Sequence, residues 1–429
     1  MPTLTTVLEK AAAECISEDA LQHFKTYKYS SVDKSPVSYY VLRHYWNACV
    51  EFLPLWLAPN MVTLLGFFFV LGNVALLELL DPALEGPKYG WVCYSYAFGV
   101  WAYSTMDNID GKQARRTGTS SGLGELFDHG IDSLNCTLAS LLEVSAMALG
   151  PTPLGALTAL IPCLPMFFST WETYHTHTLY LGYFNGPTEG LMIASTIMIL
   201  SGVYGPHIWH EPMADYIGLE SILGSLSFKD IWAPLLLTSF AIAHLPSCVY
   251  NVWEARKAKG LPLAPVFLEW IPMVVFTASI IAWLGSPYSN LLNDNHLCLL
   301  CLTLSFVFGR MTTKTILAHL THQPFPYWTG LLAPLIGGAV LVNLPRFGLP
   351  AMSATVEHLY LWAYFILSVV VYFRWAFLVI DAICSYLGIN CLTIPEEKWK
   401  ALQRQQAGND AIGQATSQNI MNGKASKHD

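Results

Sequence analysis

Apolar residues in this chain of 429 residues fall in long runs that are separated by short polar segments. A segment needs about 20 mostly apolar residues to cross a bilayer, and it must be helical because hydrocarbon offers no partner to a free backbone amide. The pattern therefore predicts an all-α integral membrane protein with about ten transmembrane helices. We expect these helices near residues 58–80, 89–107, 126–149, 154–172, 188–204, 231–251, 265–285, 296–311, 327–344 and 357–386.

Polar segments flank this apolar block. In residues 1–57, the stretch YYVLRHYWNACVEFLPLWLAP places aromatic side chains among polar ones just before the first span. We expect an amphipathic helix at the membrane interface here, and a solvent-exposed helix is the alternative. We assign residues 58–386 to the transmembrane domain and 387–429, rich in Gln, Asn, Lys and Ser, to a largely disordered tail. No cleavable signal peptide is expected, since residues 1–50 lack an apolar h-region.

The basic residues predict an orientation. If ten spans alternate from a cytosolic amino terminus, most Lys and Arg residues lie on the cytosolic side and only Lys88, Lys229 and Arg346 lie opposite. Basic residues favour the cytosolic side of membranes, so both termini and the loop near residue 116 are expected there. Most of the ten cysteines lie in apolar spans, including Cys298 and Cys301, which are three residues apart, and we expect small buried apolar residues here and no zinc ligands.

Charged residues make up only 12% of the chain, yet several gather in MDNIDGKQARRTGTSSGLGELFDHGID, from Met106 to Asp132. Asp107 and Asp110 are three residues apart at the end of the second predicted span, and Asp128 and Asp132 are four apart at the start of the third. These spacings place side chains on one face of a helix. Two helices joined by a short loop can therefore turn two pairs of carboxylates towards each other.

Four carboxylates at a membrane boundary repel each other and are costly unless cations neutralise them. Oxygen ligands without Cys or His at metal spacing favour Mg²⁺, Mn²⁺ or Ca²⁺, and two such ions would clamp a pyrophosphate. A solvated loop that only fixes topology is the alternative, but it does not explain the spacing of the aspartates. An EF-hand is excluded because Gly111 would require an acidic ligand at Met106, and no Walker loop occurs.

This stretch resembles the signature of the CDP-alcohol phosphotransferases, D-G-x-x-A-R, eight residues, G-x-x-x-D-x-x-x-D. Neighbouring segments, LAPNMVTLLGF before it and WETYHTHTLYLGYFNGPTEG after it, look like those of the eukaryotic choline/ethanolamine phosphotransferases. The resemblance covers roughly residues 20–395. The residues that match the signature are Asp110, Gly111, Ala114, Arg115, Gly124, Asp128 and Asp132, with Asp107 three residues earlier.

The resemblance implies that CDP-choline or CDP-ethanolamine gives its phospho-alcohol to the free hydroxyl of 1,2-diacylglycerol and that CMP is released. Another headgroup or lipid acceptor is the alternative, since no residue distinguishes choline from ethanolamine. The resemblance also implies a homodimer in the endoplasmic reticulum or Golgi membrane, with no nucleic-acid partner. The cofactor it implies is two Mg²⁺ ions, replaceable by Mn²⁺, held by Asp107, Asp110, Asp128 and Asp132.

By the same resemblance, Asn60 contacts the CDP-alcohol, although a helix cap is its alternative role. Asp107 and Gly124 are assigned to the same binding surface. Gly111 lacks a Cβ atom and lets the nucleotide approach the backbone. Arg115 offers a planar fork of donors to phosphate oxygens.

The general base has two candidates. The lipid hydroxyl must lose a proton as it attacks phosphorus, and the base must lie within hydrogen-bond reach of it. Asp132 is the usual family candidate, but a carboxylate bound to two cations is a weak base. His129 has a suitable unperturbed pKa, and Glu125 lies four residues before it on the same helix face. We therefore favour His129 with Glu125 orienting it, and a partner of Asp128 is the alternative role of His129.

Polar residues that flank later spans are candidates for a headgroup pocket, because aromatic faces and a carboxylate suit a quaternary ammonium. Ordinary interfacial residues are the alternative interpretation. The candidates are Glu172, Tyr174, His175, His177 and Glu189, with Arg310, Lys314 and His319 near the same face.

Two other classes of membrane protein share part of the pattern. Membrane prenyltransferases also use paired aspartate motifs with Mg²⁺, but they lack the positions of Gly111, Arg115 and Gly124. Transporters carry acidic residues in their spans, but they commonly show two related halves, which this sequence lacks.

Overall fold

The computed structural model describes residues 16–183, 186–217 and 224–405. In these ranges the chain is mainly helical, and two short strands, β1 (Ser31–Asp33) and β2 (Leu179–Leu181), pair in parallel. The all-α prediction is confirmed. The helices of the first part are α1 (Glu18–Gln22), α2 (Arg43–Glu51), α3 (Pro59–Leu80), α4 (Gly90–Thr117), α5 (Gly122–Ala146), α6 (Pro153–Leu160), α7 (Cys163–Thr176) and α8 (Leu191–Tyr204).

The second part of the chain continues the helical bundle. A π-helical turn, Phe240–His244, joins two of its helices, and a 3₁₀ turn, Ala264–Trp270, leads into the next. Its helices are α9 (Ala214–Ile217), α10 (Phe228–Ser239), α11 (Leu245–Ala258), α12 (Ile271–Leu284), α13 (Leu297–Leu320), α14 (Leu332–Asn343) and α15 (Ala354–Leu387).

Each of the ten predicted spans coincides with helical structure. In the described part of the chain, seven helical segments are long and apolar enough to cross a membrane. The other three predicted spans are α4 and α5, whose ends carry the charged stretch, and the shorter apolar segment Leu332–Phe347. The seven segments are Pro59–Leu80, Pro153–Thr176, Gly186–Tyr204, Phe228–Ala258, Ala264–Leu284, Leu297–Leu320 and Ala354–Leu387.

The turn between α4 and α5 is short for local reasons. Gly118 ends α4 with a positive φ of 61°, a conformation that glycine adopts without steric cost. Ser121 then caps α5, where its Oγ accepts the Gly124 backbone N–H at 3.2 Å. The ends of two long helices are therefore held side by side, with the charged stretch between them.

Close packing fixes α3 against α4 at the same end. A Cβ atom on Gly66 of α3 would lie only 2.8 Å from the Met106 Cβ atom, so this crossing requires a glycine. Met106 is the residue before Asp107. The contact therefore sets the position of the first aspartate relative to α3.

The amino-terminal segment covers this end of the bundle. A continuous helix ends in α2, and Trp46 and Val50 on it are buried against Val62 of α3 and Ile109 of α4. Its other face exposes aromatic side chains, including Tyr40 and Phe52. The helix is thus amphipathic, as predicted, and its placement at a membrane interface remains a prediction.

The carboxyl-terminal region is ordered further than expected. Leu57 forms a β-bridge with Thr393, and a helix covers residues 396–405. The predicted disordered tail therefore does not begin at residue 387, because this stretch packs against the start of α3. Residues 1–15 and 406–429, on which parts of the terminal assignments fall, lie outside the described residues.

Candidate functional site

A cavity of about 1250 Å³ lies inside the bundle and opens beside the turn between α4 and α5. Its walls come from α3, α4, α5, α7, α8, α10 and α13, from the amino-terminal segment and from residues 387–398. Around the opening the lining is polar and charged, and further in it becomes largely apolar. The structure brings most of the predicted site residues to this cavity: Asn60, Asp107, Asp110, Gly111, Arg115, Gly124, Glu125, Asp128, His129 and Asp132.

Three aspartates converge at the opening. Asp107 of α4 and Asp128 and Asp132 of α5 each place one carboxylate oxygen within 4.8 Å of the others. Such a separation suits oxygens that bind a common cation, and it is unfavourable for bare negative charges. The predicted pairing of the two helix faces is therefore present in the structure.

The donor set fits a hard divalent cation. Asp128 Oδ1 is buried and accepts no hydrogen bond within the described residues. A buried carboxylate oxygen without a donor is costly unless a cation takes the place of the missing hydrogen bond. The chain therefore has an acidic cluster that can hold a metal ion.

Asp110, the fourth predicted ligand, lies deeper. It is 7% exposed and accepts a hydrogen bond from the Thr63 hydroxyl of α3, which fixes its carboxylate beside the group of three. Its negative charge acts on Asp128, so the two carboxylates are close neighbours. Whether Asp110 ligates a second ion stays a prediction.

Tyr103 is a site residue that the sequence analysis missed. Its hydroxyl donates a hydrogen bond to Asp132 Oδ1, and its ring is buried between α4 and α5. Its spacing in the sequence indicates this position, because Tyr103 precedes Asp107 by four residues and so shares its helix face. This contact orients Asp132 towards the other carboxylates.

The two glycines of the signature leave open surface. A Cβ atom on Gly111 would approach no protein atom closer than 3.6 Å, and one on Gly124 none closer than 3.7 Å. Neither glycine is therefore required by packing within the protein. Both face the cavity, where a side chain would project into the space that a ligand uses.

The three cations of the charged stretch have different surroundings. Arg116 donates to the carbonyls of Val50 and Leu53 at 3.0 and 2.6 Å and pairs with Glu51 at 3.3 Å, so it anchors α2. Lys112 donates to Asn47 Oδ1 at 2.8 Å. Arg115, by contrast, lines the cavity and makes no hydrogen bond or salt bridge within the described residues.

Asn60 is not a helix cap. Ala58 occupies the cap position of α3 without a side-chain bond, and Asn60 Nδ2 instead donates to the Cys391 carbonyl at 3.0 Å. That contact leaves its amide oxygen near Gly124, at 3.7 Å from where a Cβ atom would stand. Asn60 therefore links the carboxyl-terminal segment to the cavity wall.

His129 and Glu125 both line the cavity, but their expected pairing is not what the structure shows. Glu125 accepts a hydrogen bond from the Tyr27 hydroxyl and lies 3.7 Å from His319 Nε2. The cause is tertiary: the amino-terminal segment and α13 reach Glu125 from outside α5. The His129 ring makes no hydrogen bond among the described residues, so its nitrogens are free to bind a substrate hydroxyl.

Tyr27 closes one side of the opening. Burial, followed by the neighbouring Glu125 carboxylate, raises the pKa of Tyr27, so its hydroxyl stays protonated and donates to that carboxylate. Beyond Glu125, His319 Nδ1 lies 3.0 Å from His177 Nδ1 and the two rings stack. Burial lowers the pKa of His177, which favours the neutral ring in this contact.

Most of the headgroup candidates do not line the cavity. Glu172 accepts from Asn251 Nδ2 at 2.5 Å, and His175 Nε2 lies 2.6 Å from Glu269 Oε2. Both are therefore held in contacts between helices. Of these candidates, His319 alone belongs to the cavity wall. Those that do not line it also include Tyr174, His177, Glu189, Arg310 and Lys314.

A comparison with known protein families agrees with this geometry. Residues 56–211 match the CDP-alcohol phosphatidyltransferase family, and this range contains all four aspartates. Relatives extend the match over nearly the whole chain. The chain belongs to the CDP-alcohol phosphatidyltransferase family.

Three relatives show which members of the CDP-alcohol phosphatidyltransferase family this chain is similar to. An uncharacterised class-I family protein 3 of Dictyostelium discoideum is 32% identical over 89% of this chain and 99% of its own length. Cholinephosphotransferase 1 of Saccharomyces cerevisiae is 36% identical over 72% of this chain and 80% of its own length. Choline/ethanolaminephosphotransferase 2 of Arabidopsis thaliana is 35% identical over 87% of this chain and 97% of its own length.

Proposed function

We propose that this protein transfers phosphocholine or phosphoethanolamine from CDP-choline or CDP-ethanolamine to the free hydroxyl of 1,2-diacylglycerol and releases CMP. The observation that carries the proposal is the aspartate cluster at the opening of a cavity whose inner part is apolar. One cavity thereby joins a site for a charged nucleotide to space for lipid chains. The names of the yeast and plant relatives support the same reaction.

We assign the metal ligands to Asp107, Asp128 and Asp132, with Asp110 as ligand of a second ion. The ions are Mg²⁺, with Mn²⁺ as a substitute, because the donors are all carboxylate oxygens. When bound, such ions neutralise the pyrophosphate of the CDP-alcohol and polarise the phosphorus that is attacked. Tyr103 holds Asp132 in position for this role.

The CDP-alcohol lies along the open surface between α4 and α5. Gly111 and Gly124 let the nucleotide approach the backbone. The guanidinium of Arg115, which has no partner among the described residues, donates to phosphate oxygens. The Asn60 amide oxygen bounds the same space from α3. These assignments place Asn60, Gly111, Arg115 and Gly124 around the donor substrate.

In the transfer, the lipid hydroxyl oxygen forms a bond to the phosphorus that carries the alcohol, and the bond from that phosphorus to the bridging oxygen of CMP breaks. The hydroxyl proton passes to a base. We assign this role to His129, because its ring lines the cavity without a hydrogen-bond partner among the described residues. Asp132, whose oxygen already accepts from Tyr103 and faces the metal cluster, is the alternative.

The chain is an integral membrane protein with several apolar spanning helices. We further propose that its aspartate end and both termini face the cytosol, following the distribution of basic residues, and that it acts as a homodimer in endoplasmic reticulum or Golgi membranes. A reagent that modifies lysine in sealed microsomes should then reach Lys112 from outside. Protection of Lys112 would contradict this orientation.

The reaction is tested with purified protein in vesicles that contain diacylglycerol, Mg²⁺ and both CDP-alcohols in competition. CMP release and the two phospholipid products are measured together, with Asp128→Asn as the inactive control. Formation of phosphatidylcholine or phosphatidylethanolamine supports the proposal, and the product ratio gives the headgroup preference. CMP release without either product would instead indicate another acceptor.

A further inference from the structure

The inner part of the cavity follows one face of α5. Asp132, Cys136, Ala139 and Glu143 all line it, at spacings of four, three and four residues. These spacings keep the four side chains on one side of the helix. The eleven residues from Asp132 to Glu143 correspond to about 16 Å along the helix axis at 1.5 Å per residue. The cavity therefore runs from the metal cluster almost to the far end of α5.

The wall opposite this face is largely apolar. It includes Pro165 and Met166 of α7 and Leu236 of α10, with Phe240 in the turn that follows. The hydroxyls of Ser169 and Thr170 also line this wall, but they are already bonded, to His244 and to the Met166 carbonyl. Such a wall offers little to a nucleotide or to a phosphate. It suits a hydrocarbon chain, which gains free energy from leaving water and needs no hydrogen bonds.

The far end of this apolar space carries a polar pair. Glu143 is only 6% exposed, and Trp232 of α10 faces it across the cavity. The Trp232 indole lies close enough for its N–H to interact with the Glu143 carboxylate, although Glu143 Oε1 and Trp232 Nε1, both buried, meet no strict hydrogen-bond geometry with a described residue. A carboxyl group with this single weak partner contributes little to holding the fold, since a buried polar group whose hydrogen bonds are incompletely made is costly.

The position of this pair matches the length of a lipid chain. The hydrocarbon core of a bilayer is about 30 Å thick, so a chain in one leaflet extends about 15 Å. A chain that starts beside the metal cluster and follows α5 would therefore end close to Glu143. A longer chain would press its terminal methyl group against a carboxyl group and an indole N–H.

We propose that Glu143 and Trp232 form the floor of the acyl-chain space and set the length of diacylglycerol chain that the enzyme accepts. This inference rests on the proposed transfer to diacylglycerol. Glu143 acts here as a specificity-determining residue and has no part in the phosphoryl transfer itself.

The test compares chain-length profiles. Transfer rates are measured with dilauroyl-, dioleoyl- and dierucoylglycerol for the wild type and for Glu143→Ala, which removes the floor. We expect Glu143→Ala to raise the kcat/KM ratio of the longest over the shortest substrate by about tenfold, the lower end of what one methylene contributes to discrimination. The KM for CDP-choline should stay unchanged, because the variant leaves the opening of the cavity intact.

Two further variants keep the test decisive. Glu143→Gln preserves the size of the side chain and should keep the wild-type profile. Ala139→Leu narrows the space about 10 Å from Asp132 and should shift the preference towards the shortest substrate. If Glu143→Ala does not fold, Trp232→Ala takes its place, because it removes the other half of the floor, and an unchanged profile in that variant would overturn the proposal.

The outcomes separate this inference from the proposed function. Wild-type protein that releases no CMP with any diacylglycerol would overturn the proposed function. Active wild type with the same chain-length profile in Glu143→Ala and Ala139→Leu would overturn the floor alone. A shift in preference towards longer chains in Glu143→Ala, together with a shift towards shorter chains in Ala139→Leu, would support it.

Discussion

Two buried carboxylate sites in this protein have opposite surroundings. Glu357, on α15, is 1% exposed and accepts four hydrogen bonds. Its Oε1 binds Trp283 Nε1 at 2.8 Å and Ser289 Oγ at 2.7 Å, and its Oε2 binds the backbone and side-chain nitrogens of Asn290 at 2.8 and 3.4 Å. Each lone pair that faces the protein has a donor.

The aspartate cluster has fewer donors than it has carboxylate oxygens: Tyr103 donates to Asp132 and Thr63 to Asp110. Asp107, Asp128 and Asp132 bring their oxygens within 4.8 Å of one another, and Asp128 Oδ1 accepts no hydrogen bond from the described residues. No cation from the chain compensates, because Arg116 and Lys112 are bound to α2 and Arg115 points to the cavity without a salt bridge in the described part of the chain.

This difference distinguishes a structural carboxylate from a binding one. Burying a charge is costly unless hydrogen bonds or opposite charges compensate. Glu357 obtains its compensation from the fold, and it ties α15 to the residues after α12. The aspartates obtain only part of theirs from the described residues, and Asp128 Oδ1 obtains none. Unsatisfied oxygens at the opening of a cavity therefore indicate a cation site more strongly than the acidity of the cluster does.

The largest effect is expected at Asp128. Asp128→Asn should lower the rate of CMP release by about 10³-fold or more, since several kcal/mol of charge stabilisation are lost at about 1.4 kcal/mol for each factor of ten. The melting temperature without metal should not fall, because the substitution removes a negative charge from a repulsive cluster. Turnover and thermal unfolding of the purified protein measure both quantities.

Metal removal provides the matched control for Asp128. Excess chelator should abolish wild-type turnover, and Mg²⁺ or Mn²⁺ should restore it while raising the melting temperature by mass action. Asp128→Asn should lose that metal-dependent rise. Full turnover in chelator would refute the assignment of the cluster as a cation site.

The next effect concerns His129. His129→Ala should slow transfer by about 10²- to 10⁴-fold, the range for a lost general base. Binding of CDP-choline should be nearly unchanged, because Arg115 and the aspartates remain in place. Asp132→Asn should instead weaken metal and CDP-choline binding together. If His129→Ala turns over normally or fails mainly by losing nucleotide, the base is Asp132.

Local spacing explains how much of this site the sequence could predict. Asp107, Asp110, Asp128 and Asp132 lie at the facing ends of two helices joined by a short turn, so helical periodicity alone brings them together. Tyr103 follows the same rule, one turn before Asp107, and was accessible to the same reasoning. The helices and the amphipathic α2 also follow from patterns a few residues long.

Contacts between distant segments could not be predicted in this way. Tyr27 meets Glu125 across 98 residues of sequence, and Asn60 meets Cys391 across 331. The spacing of Glu125 and His129 does not reveal that the Tyr27 hydroxyl donates a hydrogen bond to the Glu125 carboxylate. The same reason explains why His175 does not line the cavity, because Glu269 reaches it from another helix.

A smaller effect should separate two neighbouring arginines. Arg115→Ala should lower kcat/KM for the CDP-alcohol by about 10- to 100-fold, corresponding to one hydrogen bond to a charged group of about 1.5–3 kcal/mol. Arg116→Ala should leave kcat/KM nearly unchanged and should lower the melting temperature, because the carbonyls of Val50 and Leu53 lose their donor. Equal kinetic losses in the two variants would show that Arg115 has no special contact with substrate.

The smallest effect on turnover is expected at Glu357. A substitution there tests the comparison between this structural carboxylate and the aspartate cluster most directly. Glu357→Gln keeps the size of the side chain, but its amide group turns one acceptor into a donor that faces the donors of Trp283 and Ser289 or of Asn290. The free energy of unfolding should fall by roughly 1–3 kcal/mol, the cost of buried polar groups left unsatisfied. Turnover per folded molecule should stay at the wild-type value, since Glu357 does not line the cavity. Thermal unfolding and CMP release are measured for both variants. Glu357→Gln should lose stability and keep turnover, whereas Asp128→Asn should keep stability and lose turnover. A Glu357→Gln protein that is stable but inactive would show that hydrogen-bond satisfaction does not separate structural carboxylates from functional ones in this fold.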